Sequence, residues 1–258
     1  GSNPQAQGTA AVDRMMETRD QVEDARSRKE AFRERLRGEV AEAGTGGCGL
    51  RWGKVAAEIR KSVFYRKARH VLVPPSGPFF QVRLNALMDR KRLTVPSPGM
   101  QSGFQHFDPN RMAQRDLIDF ARLRKHGTPL TRASYSSPLQ PPIDLVIGEA
   151  LCGAEDGGLI GDGKGHLDLT CAILRALGWL DGRAAILAVA GMRTVFPVCP
   201  QEDHDVKAHG IITPDGLFRT AEDRAPHKEI YWDRLDERRI RRNEVLFFIA
   251  SRDGRNFR

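Results

Sequence analysis

The amino-acid sequence predicts an α/β protein with three α/β/α layers around a mostly parallel, Rossmann-like sheet. Three observations support this prediction. Short apolar segments alternate with segments of helical periodicity, several of the apolar segments end in loops rich in Pro or Gly, and residues 143–179 run from strand to glycine-rich loop to helix. Strands that alternate with helices need crossover connections, which place helices on both faces of a parallel sheet. Ligands of such sheets bind beyond the carboxyl ends of the strands.

The elements follow in order along the chain. Residues 11–43 are rich in Arg, Glu and Ala and predict one or two exposed helices, which end at the glycine-rich residues 43–49. Further helices are predicted at residues 55–64, 81–90 and 112–123. Strands are predicted at residues 68–73, 93–95, 143–147, 185–190 and 210–213. Residues 103–107 are predicted to form a loop.

Composition limits the class of protein. The chain has 258 residues, 29% of them charged and 40% apolar, so it can bury a substantial core. We expect a disordered tag or leader at residues 1–20, one α/β domain at 21–250 and a basic tail at 251–258. Residues 1–11 do not resemble a secretory signal, no apolar run could span a membrane, and the four cysteines are widely spaced. These features predict a cytoplasmic protein with reduced thiols.

The charge balance favours anionic partners. The formal net charge is +8, and much of the excess lies in the arginine-rich C-terminal segment. A solvated helix face followed by a frayed end would show the same arginine-rich segment. Because no aromatic stacking pattern accompanies it, a nucleic-acid role is secondary. The oligomeric state is left open.

The glycine-rich loop is the most informative feature. Glycines at 157, 158, 161, 163 and 165 separate an apolar strand from a segment of helical periodicity. Such glycines let the backbone approach a ligand, and the helix that follows adds the positive end of its dipole. The loop therefore predicts an anion site, although a tight connection without a ligand would use the same residues. Neither GxGxxG nor GxxxxGK[ST] is present, since Lys164 is followed by Gly165.

Four segments follow one another in a familiar order: VRLNALMDRKRLTVPSPGMQSGF, IDLVIGEALCGAEDGGLIGDGKGHLD, PQEDHDVKAHGIITP and HKEIYWDRL. Together they resemble the 5-formyltetrahydrofolate cyclo-ligase family, also called methenyltetrahydrofolate synthetase. The resemblance runs from about Lys29 to Phe248, and it is strongest to the branch of methenyltetrahydrofolate synthase domain-containing proteins. It implies an α/β fold, ATP with Mg²⁺, and closure of a formamide onto a neighbouring amine.

The resemblance also implies roles for individual residues. Lys29 and Arg33 match the basic pair that grips the triphosphate, although an ordinary charged helix would show the same spacing. Asp168 matches the carboxylate that binds magnesium, although the start of a helix also favours a carboxylate. The residues that match the phosphate loop are Gly161, Gly163, Lys164 and Gly165.

Catalytic and substrate residues follow from the same resemblance. Lys164 and His166 are the predicted catalytic residues, and His166 is either an acid or base or a stacking surface. The predicted substrate residues are Gln81, Arg83, Pro96 and His166. The glutamate that orients the formyl group in many relatives has no counterpart here, so Gln81 is either a hydrogen-bonding partner of the formamide or an ordinary amide on a helix surface. His204 and Asp205 match the family's HD pair, for which we expect a structural role near the site.

The loop departs from the family's usual GxRLGRGxGYYD. Leu159 stands where an arginine is usual, Asp162 replaces a second basic residue, and His166 and Leu167 replace the aromatic pair. The carboxylate of Asp162 opposes an anion by roughly 1 kcal/mol before screening.

Three hypotheses about function remain. The first is an ATP- and Mg²⁺-dependent cyclo-ligase that acts on 5-formyltetrahydrofolate. The second keeps the activation chemistry but acts on another amide in a specialised pathway. The third is a non-catalytic relative that binds a nucleotide, a folate or RNA.

Overall fold

A computed structural model describes residues 21–38, 52–191, 195–222 and 229–255. The expected leader at 1–20 and the glycine-rich break at 43–49 lie outside the described residues. The α-helices are α1 (residues 21–38), α2 (Trp52–Lys61), α3 (Val63–Lys67), α4 (Phe80–Met88), α5 (Leu117–Ala121), α6 (His166–Ala176), α7 (Glu237–Arg242) and α8 (Glu244–Arg252).

The strands form two sheets. They are β1 (His70–Leu72), β2 (Arg92–Pro96), β3 (Phe104–Phe107), β4 (Thr128–Leu130), β5 (Ile143–Ala150), β6 (Cys152–Ala154), β7 (Leu159–Ile160), β8 (Leu180–Ala190), β9 (Val195–Phe196), β10 (Gly210–Thr213) and β11 (Gly216–Arg219). The main sheet has eight strands in the order β11-β10-β8-β5-β1-β2-β3-β4, and a small sheet has the order β7-β6-β9.

The centre of the main sheet is parallel. The strands β2, β1, β5, β8 and β10 pair in parallel, whereas β3, β4 and β11 are antiparallel additions at its edges. The strand order reverses between β1 and β5, which makes this point the topological switch of a doubly wound sheet. Such switch points open a crevice beyond the carboxyl ends of the strands, where ligands bind.

The core lies on both faces of this sheet. Along β8, Ile186 and Ala188 face a cluster that includes α6 and α8, whereas Leu187 and Val189 face a cluster that includes α2 and α4. This alternation follows from the two-residue period of a strand. The predicted three-layer α/β/α fold with a mostly parallel sheet is therefore confirmed.

Two predictions about elements were wrong. Residues 103–107 are not a loop, because Phe104–Phe107 pairs antiparallel with β2. The alternation was hidden because polar Gln105 and His106 separate two buried phenylalanines. The helix predicted at residues 112–123 is shorter in the structure: a 3-10 turn at Gln114–Asp116 precedes α5, which covers only Leu117–Ala121.

The helix predicted at residues 55–64 is divided in two. Ser62 separates α2 from α3, and its hydroxyl accepts a hydrogen bond from the backbone N–H of Tyr65. A serine at this position satisfies a free donor of the new helix, so the chain can begin α3 immediately. Among the described residues, no helix has both the length and the apolarity needed to cross a membrane.

The small sheet positions the glycine-rich loop. β6 follows directly after β5, β7 returns antiparallel to β6, and the loop then leads into α6. Cys152, Ile160 and Cys199 pack here against Leu36 of α1. This satellite core attaches α1 to the part of the chain that carries the loop.

Candidate functional site

The loop at residues 161–165 leaves open space before α6. Gly163 and Gly165 have φ angles of 94° and 62°, in a region of backbone conformation that residues other than glycine rarely adopt. A Cβ atom added to Gly161 or Gly165 would meet no atom within 4 Å. Gly165 is the N-cap of α6, and as a glycine it has no side chain that could accept a bond from the first N–H groups of the helix. The first N–H groups of α6 therefore stand beside open space at the positive end of the helix dipole.

Two arginines of α1 contact this loop. The Nε atom of Arg33 donates a hydrogen bond to the carbonyl oxygen of Gly161 at 3.0 Å, and Nη2 of Arg37 donates to the carbonyl oxygen of Asp162 at 3.0 Å. A Cβ atom on Gly163 would lie 3.2 Å from Nη1 of Arg33. Arg33 is buried and also pairs with Glu30. The structure thus brings the predicted Arg33 to the predicted loop.

Lys29 lies in a buried network of charges. Its Nζ atom forms an ion pair with Oδ2 of Asp205 and lies 3.9 Å from Oε1 of Glu202. The backbone N–H of Glu202 donates to the same Asp205 oxygen at 2.7 Å, and Arg234 Nη1 lies 2.7 Å from Oε2 of Glu202. The remaining oxygen of Asp205, Oδ1, is buried and has no hydrogen-bond partner among the described residues, and Nε2 of His204 lies 3.6 Å from it.

Asp168 faces this network from the first turn of α6. Its Oδ1 atom accepts a hydrogen bond from the backbone N–H of Val206 at 2.8 Å. Burial and the nearby Asp205 raise the pKa of Asp168 above its ordinary value, because each disfavours the charged form. The described residues contain no group of three or more His, Cys, Asp or Glu arranged to hold a metal ion. Magnesium binding by Asp168 therefore stays a prediction.

The exposed rim of the loop carries two of the residues that depart from the family pattern, Asp162 and His166. Oδ1 of Asp162 accepts a hydrogen bond from the backbone N–H of Lys164 at 2.9 Å, and Oδ2 lies 3.4 Å from Nζ of Lys164. Burial alone would raise the pKa of Asp162, but the bonds and charge of Lys164 lower it. Desolvation lowers the pKa of His166, although Asp162 opposes this effect. At neutral pH His166 is therefore mostly uncharged.

Three of the predicted substrate residues, Gln81, Arg83 and Pro96, lie on other elements than the loop and α6. Gln81 and Arg83 belong to α4, which packs on the opposite face of the sheet from α6. Gln81 donates to Asn85 at 2.9 Å. The buried guanidinium of Arg83 donates to backbone carbonyl oxygens of the β1–α4 connection and of Ala121 at 2.6 to 3.0 Å. Pro96 ends β2 and is buried.

Four contacting residues were missed by the sequence interpretation. Arg37 donates to the loop, and Arg239 of α7 donates to the carbonyl oxygen of Lys164 at 2.8 Å. Glu202 lies near Lys29 and forms an ion pair with Arg234. The four-residue spacing from Arg33 could have indicated Arg37, because residues four apart share a helix face. Arg239 had no such signal, since it lies 75 residues from Lys164.

A cavity of about 530 Å³ lies away from the glycine-rich loop. It is lined by residues that include Arg132, Tyr135, Leu177 and Phe248. It opens beside Leu177, at the carboxyl end of α6, whereas the glycine loop lies at the amino end. Because no predicted site residue lines it, size alone does not identify the functional site.

The fold and the loop define an α/β protein with a glycine-rich strand-to-helix loop beside the switch point of a doubly wound sheet. The sequence model described as the 5-formyltetrahydrofolate cyclo-ligase family matches residues 25–214. The chain belongs to that family, and the recognition made from its motifs is confirmed. The family is named for a ligase that acts on a folate.

Individual relatives carry the expected branch name. Methenyltetrahydrofolate synthase domain-containing protein of Homo sapiens is 26% identical over 196 residues, which cover 73% of this chain and 50% of that protein. Its namesake from Bos taurus is 29% identical over 178 residues, which cover 66% of this chain and 46% of that protein. The chain thus spans about half the length of these curated relatives.

One solved structure is also similar. The NMR structure of Aquifex aeolicus 5,10-methenyltetrahydrofolate synthetase shares 15% identity with this chain, at a TM-score of 0.45. The similarity covers 77% of this chain and 98% of that one. At that TM-score the likeness adds nothing to the assignment.

Proposed function

We propose that this protein is an ATP- and Mg²⁺-dependent cyclo-ligase that converts 5-formyltetrahydrofolate into 5,10-methenyltetrahydrofolate. The observation that carries the proposal is the loop at 161–165, which stays open in front of α6 while Arg33 lies against it. A triphosphate needs backbone donors, cations and room for its oxygens, and this loop offers all three.

The chain's own residues would bind and orient the nucleotide. The open sides of Gly161 and Gly165 leave space for phosphate oxygens beside the free N–H groups of α6. Arg33 and Lys164 supply positive charge at the rim of this space. Lys29 is held by Asp205, so it would act mainly by neutralising the buried carboxylates near Asp168.

The reaction requires activation of a poor electrophile. ATP supplies the phosphoryl group, which is transferred from the γ-phosphate to the formamide oxygen. The neighbouring ring amine then attacks the formyl carbon and loses its proton, and phosphate leaves with that oxygen. Neutral His166 at the loop could accept the proton, because its lowered pKa keeps a ring nitrogen free at neutral pH.

Oxygen donors for magnesium come from the same region. Asp168 and the unpaired Oδ1 of Asp205 are carboxylate oxygens, which suit this hard cation. Magnesium would neutralise charge on the phosphates. Binding would also relieve the repulsion between the two carboxylates, since a cation favours the ionised form of each.

The test is a coupled measurement on the whole chain. The protein is mixed with ATP, Mg²⁺ and 5-formyltetrahydrofolate, and ADP release is followed together with the absorbance of the methenyl product. We expect the two signals to rise in a one-to-one ratio and to vanish without Mg²⁺. If neither signal exceeds that of a boiled sample, the proposed reaction is wrong.

A second candidate keeps the activation chemistry but changes the amide. It is favoured by the predicted substrate residues of α4, because Arg83 donates its hydrogen bonds to backbone carbonyl groups and Gln81 donates to Asn85. ATP would then raise the melting temperature, whereas addition of 5-formyltetrahydrofolate would release no ADP.

We place either enzyme in the cytoplasm, because the free thiols of Cys152, Cys171 and Cys199 fit a reducing compartment.

A further inference from the structure

The cavity beside Leu177 has the size and the position of a separate binding site. Its volume of about 530 Å³ falls within the range of small-molecule sites. It lies between α8 and the connection from β4 to β5, and we call it the side cavity. The arginines that contact the glycine-rich loop, Arg33, Arg37 and Arg239, do not line it. A ligand bound there would therefore leave the loop open.

Two aromatic side chains form part of the wall of the side cavity. Tyr135 and Phe248 both line it, with their ring centroids 5.3 Å apart and their planes tilted by 60°. Pro138 and Leu177 add apolar surface. Two rings at this angle form a corner, in which a flat aromatic ligand can stack on one ring and present its edge to the other. The shape of the wall therefore favours a planar aromatic group.

A guanidinium group without a polar partner stands at the same wall. The side chain of Arg132 is exposed, and its Cζ atom lies 5.7 Å from the ring centroid of Phe248. Among the described residues it makes no hydrogen bond or ion pair. Arg252, the other cation of the lining, donates to the carbonyl oxygen of Ala176 at 3.0 Å and pairs with Asp253 at 2.9 Å. The side cavity therefore offers one free guanidinium group to a ligand.

Two helices limit the charge that the ligand can carry. α6 ends at Ala176 and α8 ends at Arg252, and both carboxyl ends lie beside the side cavity. The negative end of a helix dipole opposes an anion, and the carboxylate of Asp253 adds to this effect. One free cation beside two such ends suits a single negative charge close to Arg132 and disfavours a phosphate dianion. A carboxylate meets this requirement, because it is monovalent and accepts a forked pair of bonds from a guanidinium group.

We infer that the side cavity binds a small aromatic monocarboxylate, with the ring against Tyr135 and Phe248 and the carboxylate on Arg132. Ser136 and Ser137 also line the cavity, and their hydroxyl groups can donate to the carboxylate or to a polar substituent of the ring. This site is separate from the glycine-rich loop and does not depend on the proposed reaction. It gives the chain a second ligand, whose chemistry differs from that of a nucleotide.

The probe is 2-naphthoate, a planar aromatic group with one carboxylate, and its affinity for the whole chain is measured by calorimetry. We expect a dissociation constant of about 1 mM or lower, which is a modest affinity for a probe of this size. At about pH 8, 2-naphthyl phosphate is the matched dianion. The uncharged match is 2-naphthamide, and decahydronaphthalene-2-carboxylate keeps the charge without the aromatic rings. Each of these three should bind at least about threefold more weakly than 2-naphthoate.

Variants locate the bound probe. Arg132→Gln should weaken 2-naphthoate binding about fivefold, the upper end for an exposed charged pair. Phe248→Leu should weaken it about threefold, because leucine keeps an apolar side chain but removes one aromatic wall. Arg124→Gln is the control, since Arg124 is also exposed but does not line the side cavity. Its affinity for the probe should equal that of the unmodified chain.

Several results would overturn the inference. No detectable binding of 2-naphthoate at about 1 mM would do so, and so would equal affinity in Arg132→Gln and Arg124→Gln. An amide, a phosphate or a saturated carboxylate that bound as tightly as 2-naphthoate would show that the ligand is not an aromatic monocarboxylate.

Competition separates this inference from the proposed reaction. Saturating ATP or 5-formyltetrahydrofolate should leave the affinity for 2-naphthoate unchanged. If 5-formyltetrahydrofolate is converted and also displaces the probe, the side cavity belongs to the substrate site, so the inference fails while the reaction stands. If nothing is converted but 2-naphthoate binding still depends on Arg132, the side cavity stands as a binding site and the reaction fails.

Discussion

Arg33 donates a hydrogen bond at 3.0 Å to the carbonyl oxygen of Gly161, across 128 positions of sequence. This contact attaches the first described helix to the glycine-rich loop. A carbonyl that points toward the guanidinium is turned away from an incoming anion, while the N–H groups beyond it stay available. Arg33 therefore shapes the loop and also places a positive charge next to Gly163.

We expect Arg33→Gln to weaken ATP binding about tenfold, because it removes a charged donor worth roughly 1.5 kcal/mol or more. Arg37→Gln is the matched control, as Arg37 contacts the next carbonyl but its side chain is 46% exposed. Its effect should stay near twofold. Equal loss of affinity in the two variants, measured by calorimetry, would show that Arg33 is not part of the nucleotide site.

Gly161→Ala tests the open space directly. The added methyl group meets no protein atom within 4 Å, so the melting temperature should stay unchanged while ATP affinity falls. Gly182→Ala in β8 is the control, because its methyl group would also meet no atom within 4 Å. A Gly161→Ala variant that bound ATP normally would mean that phosphate does not occupy this side of the loop.

Much of the fold could be predicted because the central strands are buried on both faces. Ile143, Leu145, Val146 and Ile147 form an almost continuous apolar run, a pattern that few other elements produce. The antiparallel β3 was missed because half-buried Gln105 and His106 lie between its two buried phenylalanines and interrupt the apolar pattern. The short α5 gave a helical pattern that its tertiary surroundings do not continue.

The candidate site was less predictable from sequence. The motifs placed Arg33, Gly163 and Asp168 in one region, and the structure shows contacts that join this region. Pairing choices could not be predicted: Lys29 binds Asp205, 176 positions away, and Arg83 binds backbone carbonyl groups. Such contacts depend on which elements the fold brings together, which local spacing does not specify.

Asp162→Asn should tighten ATP binding by about fivefold. The amide oxygen can still accept the bond from the N–H of Lys164, so the turn is kept while the negative charge of roughly 1 kcal/mol is removed. Asp162→Ala loses both the charge and the bond and serves as the control for loop shape. If the asparagine variant binds ATP more weakly than the unmodified chain, Asp162 contributes to binding and its charge does not oppose the nucleotide.

Asp168→Asn should abolish Mg²⁺-dependent turnover without loss of stability. Its oxygen can still accept the bond from Val206, and the neutral side chain no longer repels Asp205. The melting temperature at neutral pH should therefore be equal or higher, since a raised pKa means that burying the charge costs stability. Because Mg²⁺ needs the ionised carboxylate, its affinity in the unmodified chain should rise with pH. An active Asp168→Asn variant would remove this residue from the metal site.

His70 should make the fold sensitive to acid. It is fully buried, one ring nitrogen lies 2.8 Å from the carbonyl oxygen of Pro141, and the other lies 2.8 Å from the hydroxyl of Thr94. Burial lowers the pKa of His70, the bond to Pro141 opposes this effect, and His106 and Arg92 add to it, so that the pKa falls to about 3. The neutral ring satisfies both contacts if Nδ1–H donates to Pro141 and Nε2 accepts from Thr94.

The sign of the effect follows from proton uptake by the unfolded chain. Below a pH of about 6.5 the unfolded chain protonates this histidine and the folded chain does not, so the stability from neutral His70 is lost as pH falls toward about 3. Urea titrations at several pH values give the free energy of unfolding as a function of pH. We expect His70→Gln to be less stable at pH 7, and the slope of its unfolding free energy against pH to be smaller by about 1 kcal/mol per pH unit. His126→Gln, at an exposed position, should leave the slope unchanged. An unaltered slope in His70→Gln would mean that this buried ring takes up its proton without unfolding the chain.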